Sequence, residues 1–80
     1  MPYERIIEIT SDYLGPAAKR FVDRQIYNLH KSPDSLNTND ISMLALRIRS
    51  GLVVLTKDTH MVEEAFKRIN SVGVTASYKK

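Results

Sequence analysis

The stretch DISMLALRIRSGLVVL (residues 40–55) decides between the two folds that this sequence allows. Its apolar residues recur at intervals of three and four, which is the period of an amphipathic helix, although LVVLT after Gly51 is also typical of a short buried strand. Because the helical pattern continues in phase through Gly51, we predict one helix from about residue 38 to 55. Its predicted core residues are Ile41, Leu44, Ala45, Ile48, Leu52 and Leu55. Glycine costs a helix about 1 kcal/mol relative to alanine, so Gly51 indicates a close contact with another helix.

The same helix carries a second apolar set away from its core side. These residues are Met43, Leu46, Val53 and Val54. A helix that is apolar on several sides is either central to a bundle or part of a contact with another molecule. We therefore predict that these four residues form a self-association face.

Three further segments have helical patterns, at residues 2–14, 16–31 and about 58–70. The second of these is the clearest, with Ala18, Phe21, Val22, Ile26 and Leu29 on its apolar face. Asn37 is the favoured N-cap of the helix at 38–55, with Thr38 as the alternative. In the fourth segment we expect Glu63–Lys67 and Glu64–Arg68 to form ion pairs four residues apart.

Gly15 and Pro16 stand between the first two helical segments. A phosphate-binding loop of the Walker type needs a second glycine and a hydroxyl residue after its lysine, and LGPAAK has neither. Glycine in a left-handed cap and proline in a first turn are instead typical of a joint between helices.

These patterns predict an all-α fold, a small bundle of about four helices within a single domain at residues 1–70. Residues 71–80 are expected to form a flexible basic C-terminal tail. An α/β fold with short strands near residues 4–10, 52–56 and 74–78 remains the alternative.

Composition sets further limits on the class of protein. The chain has 80 residues and no cysteine, so disulfides and thiolate chemistry are excluded, and a cytoplasmic location is expected. No apolar run has the length of a signal peptide or a membrane span. Lys79 and Lys80 supply two of the three net positive charges, which leaves residues 1–78 nearly neutral and makes nucleic acid the less favoured partner.

The polar side of the second helix carries the best candidate for a polar binding face. Arg20, Arg24, Tyr27 and Lys31 recur at intervals of four, three and four. Such a strip suits phosphates or an acidic protein, although an ordinary solvated helix face has the same pattern.

Catalytic and metal-binding patterns are missing from the sequence. His30 with Asp34, and His60 with Glu63 and Glu64, fall short of the three or four ligands of a metal site. There is also no nucleophile elbow and no dinucleotide fingerprint. We expect no enzyme, no metal, no cofactor and no small-molecule substrate.

Three runs carry a resemblance to a known family: YLGPAAKRFVDRQ (13–25), LNTNDISMLALRI (36–48) and LVVLTKDTHMVEEAFKRI (52–69). Over about residues 3–70 the chain resembles a small helical domain that stands alone in archaea and is appended to bacterial signalling proteins. The resemblance implies an α-helical interaction or regulatory module.

Together these observations predict a non-catalytic protein-protein interaction or regulatory module that associates with itself as a homodimer or with another protein. The alternative is a small nucleic-acid-binding protein that uses the basic face of the second helix and the C-terminal tail.

Overall fold

The computed structural model describes the backbone of residues 2–78 and the side chains of residues 2–74. The described residues form four α-helices, α1 (Pro2–Leu14), α2 (Ala18–Asn28), α3 (Thr38–Leu55) and α4 (Thr59–Tyr78), with 3₁₀ turns at Gly15–Ala17 and Pro33–Ser35. Because the first 3₁₀ turn joins α1 to α2 without a break, the long helical stretches are three in number. The predicted all-α bundle is confirmed, and no strand occurs anywhere in residues 2–78.

The joint between α1 and α2 has the predicted geometry. Gly15 has a φ of 61°, in the left-handed region where a side chain would be strained, and Pro16 follows in the first turn of the 3₁₀ segment. Pro16 needs no hydrogen-bond acceptor there, since proline has no backbone N–H. The joint therefore turns the chain so that α2 packs back on α1.

The connection from α2 to α3 begins earlier than predicted. The helix ends at Asn28, and His30 takes a left-handed φ of 59°. The His30 N–H donates to the Tyr27 carbonyl at 2.9 Å and the Lys31 N–H to the Ile26 carbonyl at 3.3 Å, which is a Schellman ending. Lys31 therefore lies beyond the helix.

The start of α3 is fixed by the predicted cap. The Asp40 N–H donates to the Asn37 side chain at 2.8 Å, and the Asn37 N–H donates to the Asp40 carboxylate at 3.2 Å, which completes a capping box. Asp40 is only 5% exposed, and the Lys31 ammonium lies 3.4 Å from its carboxylate. A nearly buried charge is thus paired with a cation as well as with the helix start.

The core lies among all four helices. The α3 helix packs mainly on α4, and α1 packs on both α2 and α4. Of the predicted core residues of α3, Leu55 is wrong: it is 60% exposed because it is the last residue of the helix. The other five are fully buried, and they join Ile6, Ile9, Val22, Ile26, Val62, Ala65 and Ile69 in one cluster.

The α4 helix begins after Asp58, whose carboxylate accepts the Met61 N–H at 3.0 Å. It does not end at Asn70, where the sequence pattern placed the start of a flexible tail, but continues to Tyr78. Val72 and Gly73 are buried, and the position of a Cβ on Gly73 lies 3.2 Å from Ile41 on α3. Lys79 and Lys80 of the predicted tail lie outside the described residues.

Candidate functional site

The outer side of α3 carries four exposed apolar residues, which we call the α3 stripe: Met43, Leu46, Val53 and Val54. Their exposed fractions are 52%, 52%, 54% and 84%. They recur at intervals of three, seven and one, so they lie on one side of the helix, opposite the buried core residues. The sequence pattern predicted this set as a self-association face, and the fold brings it together on the surface.

A shallow groove runs between α2 and α3 beside the α3 stripe. It is lined by Gln25 of α2 and by Leu46, Arg47, Ser50 and Gly51 of α3. Gly51 forms part of its floor because α3 approaches α2 closely there: a Cβ on Gly51 would lie 2.6 Å from the Phe21 ring. This confirms the prediction that Gly51 marks a close helix contact, and it places a polar donor and a cation next to the apolar stripe.

Three of the four residues of the predicted basic face share the outer side of α2, and we call them the α2 strip: Arg20, Arg24 and Tyr27. All three are exposed, and Tyr27 is 78% exposed. Lys31 does not belong to this strip. It follows the left-handed turn at His30 and pairs with Asp40, so the helical spacing that placed it in line with Arg24 no longer applies.

The six arginines divide into those that form an ion pair and those that do not, among the side chains that the structure describes. Arg5 pairs with Glu8, Arg49 with Glu63 and Arg68 with Asp12. Arg20, Arg24 and Arg47 form no ion pair with any residue whose side chain the structure describes, and they all lie on α2 or α3. The two helices that line the groove, α2 and α3, therefore carry the arginines that have no ion pair among the described side chains.

Ion pairs on the opposite side of the bundle join helices together. Arg68 of α4 donates to the Tyr13 hydroxyl at 3.1 Å and lies 2.8 Å from the Asp12 carboxylate. These contacts raise the pKa of the Arg68 guanidinium. The Tyr13 hydroxyl in turn donates to Glu64 at 3.0 Å. The predicted Glu64–Arg68 pair within α4 is thus replaced by contacts with α1.

The second predicted pair of α4 is replaced in the same way. Glu63 binds Arg49 of α3, with a distance of 2.8 Å from the arginine Nε, rather than Lys67. The Arg49 guanidinium also lies 5.4 Å from the centre of the Phe66 ring, at cation–π distance. Arg49 is therefore engaged in packing α3 on α4.

Tyr3, Lys19 and Asp23 form a hydrogen-bonded cluster between α1 and α2. The Tyr3 hydroxyl donates to Asp23 at 2.5 Å and the Lys19 ammonium lies 2.9 Å from the same carboxylate. Partial burial by itself would raise the pKa of Asp23, but the hydrogen bonds from Tyr3 and Lys19 outweigh it and lower the pKa. The hydrogen bond to Asp23 raises the pKa of Tyr3 and that of Lys19. Asp23 is thereby committed to contacts within the fold.

The two histidines, His30 and His60, are both exposed. Among the residues that the structure describes, no group of three or more histidines and carboxylates has the arrangement of a metal site. None of the described helices is both long enough and apolar enough to cross a membrane.

Comparison with known proteins adds no relative: no family model, no curated protein and no solved structure matches this chain. The resemblance to a helical domain of signalling proteins therefore stays a prediction.

Sequence reasoning missed three residues of this surface, namely Gln25, Arg47 and Ser50. Arg47 follows Met43 by four residues and precedes Val54 by seven, so the sequence alone predicts that it lies beside the α3 stripe. Gln25 and Ser50 become notable only once the approach of α2 to α3 at Gly51 is known.

Proposed function

We propose that this chain is a non-catalytic protein-association module that docks through the α3 stripe. The single observation that carries the proposal is the exposure of four large apolar side chains in one helical line. Contiguous apolar patches of this kind mark interaction sites on soluble domains. The resemblance to a domain of signalling proteins supports a regulatory role, and the lack of cysteine supports a cytoplasmic location.

A second copy of the chain is the simplest partner, and the strength of such a dimer can be estimated. Fully burying an apolar side chain is worth about 1.5–3 kcal/mol, so burying the exposed half contributes roughly 1 kcal/mol. Eight such side chains in a symmetric pair contribute roughly 8 kcal/mol, against an association cost of at least about 4 kcal/mol. We therefore expect weak self-association, with a dissociation constant no tighter than about millimolar.

Light scattering over a concentration series tests the proposal. We expect the apparent mass to rise as the concentration approaches millimolar and the rise to disappear in the double variant Val53→Ser, Val54→Ser. Val74→Ser is a matched control, since Val74 is also exposed, at 52%, but lies on α4. A strict monomer in every sample would argue against self-association, and an equal effect of Val74→Ser would argue against the α3 stripe as its site.

Nucleic-acid binding is the second candidate, and the unpaired state of Arg20 and Arg24 favours it. Two exposed arginines one helical turn apart are suited to contact successive phosphates. Titration with DNA and RNA at low and moderate salt separates this candidate from the first. Binding that weakens steeply with salt, and weakens again in the double variant Arg20→Glu, Arg24→Glu, would favour it. An absence of binding at low salt would exclude it.

A further inference from the structure

Arg47 lies in the groove beside the α3 stripe, and the neighbouring helix α2 carries the exposed Arg20 and Arg24. We infer that the preferred occupant of the stripe is an amphipathic helix of another protein with carboxylates along the edges of its apolar face. This inference rests on the proposed function and specifies the partner for the same surface.

The positive charges of Arg20, Arg24 and Arg47 are not neutralised by any side chain of residues 2–74. Arg47 lines the groove beside Leu46, and Arg20 and Arg24 are exposed on the neighbouring helix. The helices α2 and α3 contain only two carboxylates, and both are occupied. Asp23 binds Tyr3 and Lys19 at 2.5 and 2.9 Å, while Asp40 caps α3 and is 5% exposed.

The dimensions of the surface suit a helix. From Met43 to Val54 the stripe advances 11 residues, or about 17 Å at 1.5 Å per residue. A partner helix of about three turns covers that length, and such helices dock by anchoring apolar residues at intervals of three and four. The Ser50 hydroxyl and the Gln25 amide line the same groove and supply polar contacts at its edge.

Charge distinguishes this occupant from a second copy of the chain. Two copies that meet through the α3 stripe bring their Arg47 side chains to the same interface without a carboxylate from α3 to accept them. Like charges placed together disfavour a complex, whereas complementary charge along the edge favours it. A nucleic acid would satisfy the arginines but would leave the four apolar side chains uncovered.

Fluorescence anisotropy with defined probes tests the inference on the full chain. The probes are two synthetic helices of about 18 residues, or ~27 Å, with the same leucine positions and with either glutamate or lysine at the flanking positions. A single-stranded oligonucleotide is the third probe. We expect the glutamate helix to bind about tenfold more tightly than the lysine helix, and the difference to shrink as salt increases.

Variants separate the contributions of charge and apolar contact. Arg47→Glu should weaken binding of the glutamate helix about fivefold or more, because one favourable charge becomes a repulsive one. Lys67→Glu is the matched control: it makes the same change in net charge at an exposed position on α4 and should leave binding within about twofold. Circular dichroism is used to check that each variant keeps its helices.

Arg47→Glu also separates the two protein partners. In a symmetric pair both copies carry the substitution, so two like charges still meet and self-association should stay within about twofold, while binding of the glutamate helix weakens. An equal weakening of self-association and of helix binding would overturn the inference.

The failures of the inference and of the proposed function are distinguishable. Equal binding of the glutamate and lysine helices, or tighter binding of the oligonucleotide, would overturn the acidic partner. If the double variant Val53→Ser, Val54→Ser still weakens helix binding in that case, association through the α3 stripe stands. If this double variant changes neither helix binding nor self-association, both the inference and the proposed function fail.

Discussion

Replacing Gly51 with alanine tests the packing that holds the groove between α2 and α3. The added Cβ would lie 2.6 Å from Cζ and 2.8 Å from Cε1 of Phe21. Carbon atoms in favourable contact are about 3.5–4.0 Å apart, so the ring has to move by roughly 1 Å. Phe21 is half-buried against the core cluster, which restricts that movement.

Two opposing effects determine how Gly51→Ala changes the free energy of unfolding. Alanine is favoured over glycine within a helix by about 1 kcal/mol. Inserting a methyl group into a filled contact typically costs about 1–3 kcal/mol through shifted side chains and backbone. With a packing cost of roughly 2 kcal/mol, we expect Gly51→Ala to lower the free energy of unfolding by about 1 kcal/mol.

A double-mutant cycle with Phe21→Leu isolates the contact. The shorter side chain removes the ring atoms that the new Cβ meets, so the helix preference of alanine should prevail in this background. Gly51→Ala should then stabilise the protein by about 1 kcal/mol, which gives a coupling energy of about 2 kcal/mol between the two sites. Urea denaturation followed by circular dichroism measures all four proteins.

Gly73→Ala is the internal comparison for this cycle. Its Cβ would lie 3.2 Å from Cγ2 of Ile41, so the neighbour has to yield by only a few tenths of an ångström, and its effect should not depend on Phe21. The reasoning would be refuted if Gly51→Ala stabilised the wild-type protein by as much as it stabilises the Phe21→Leu variant.

Three further predictions concern local features of the fold. Asn37→Ala removes the acceptor of the Asp40 N–H and should lower the free energy of unfolding in urea by about 1 kcal/mol; an unchanged value would show that the cap contributes nothing. His30→Gly should stabilise the protein by about 0.5–1 kcal/mol in thermal melting, since relief of the left-handed strain outweighs the flexibility of glycine; destabilisation would contradict this. Because the pKa of Asp23 is lowered in the fold, its contribution to stability is present above pH 3.8 and is lost as pH falls through the folded pKa. Tyr3→Phe should therefore reduce the acid-induced loss, and an unaltered pH profile would exclude this contact as a contributor.

The fold of α3 could be predicted from the sequence because its core residues keep the helical period through Gly51. A strand would have alternated these residues between two faces, whereas Leu44, Ile48 and Leu52 are all fully buried on one side. The prediction for Leu55 was wrong because periodicity gives the direction of a side chain but not the presence of a neighbour. Nothing in the sequence pattern reports that packing stops before the last residue of α3.

The buried face of α1 is harder to predict from the sequence than that of α3. At helical spacing Ile7 shares a face with Ile6 and Leu14 while Ile9 lies off that face, yet Ile9 is buried and Ile7 is only partly covered. The true buried face includes Thr10, which is 1% exposed and whose hydroxyl donates to the Ile6 carbonyl at 2.8 Å. A threonine that satisfies its own hydroxyl within the helix can be buried at little cost, so the buried face of α1 cannot be identified from its apolar residues alone.

The extent of α4 was underestimated for a related reason. Residues 71–78 are small and weakly apolar, which in isolation is typical of a frayed end. Gly73 nevertheless lets α4 approach Ile41 closely, and Val72 is 9% exposed. Tertiary contact with the start of α3 therefore extends a helix that local propensity would have ended near Asn70.

The part of the candidate surface that lies on α3 alone could be predicted from the sequence. The groove between α2 and α3 could not, because it depends on how the two helices pack. The α3 stripe follows from the spacing of Met43, Leu46, Val53 and Val54 alone. The helical spacing that places Lys31 on the basic face does not hold, because the chain leaves the helix through a left-handed residue at His30. Glycine at that position would have indicated the turn, whereas histidine rarely adopts this conformation.

Packing within the bundle gives little reason for the apolar residues of the α3 stripe. Val53 and Val54 are β-branched, and at exposed helical positions such residues are less favourable than lysine or glutamate by up to several tenths of a kcal/mol each. Neither is fully covered by the bundle, at 54% and 84% exposure, so packing within the chain gives little compensation. Exposed apolar residues also promote non-specific association, which charged residues would suppress. Their placement in one line beside Arg47 therefore costs the isolated domain stability and solubility, and contact with the acidic helix that we propose would offset both.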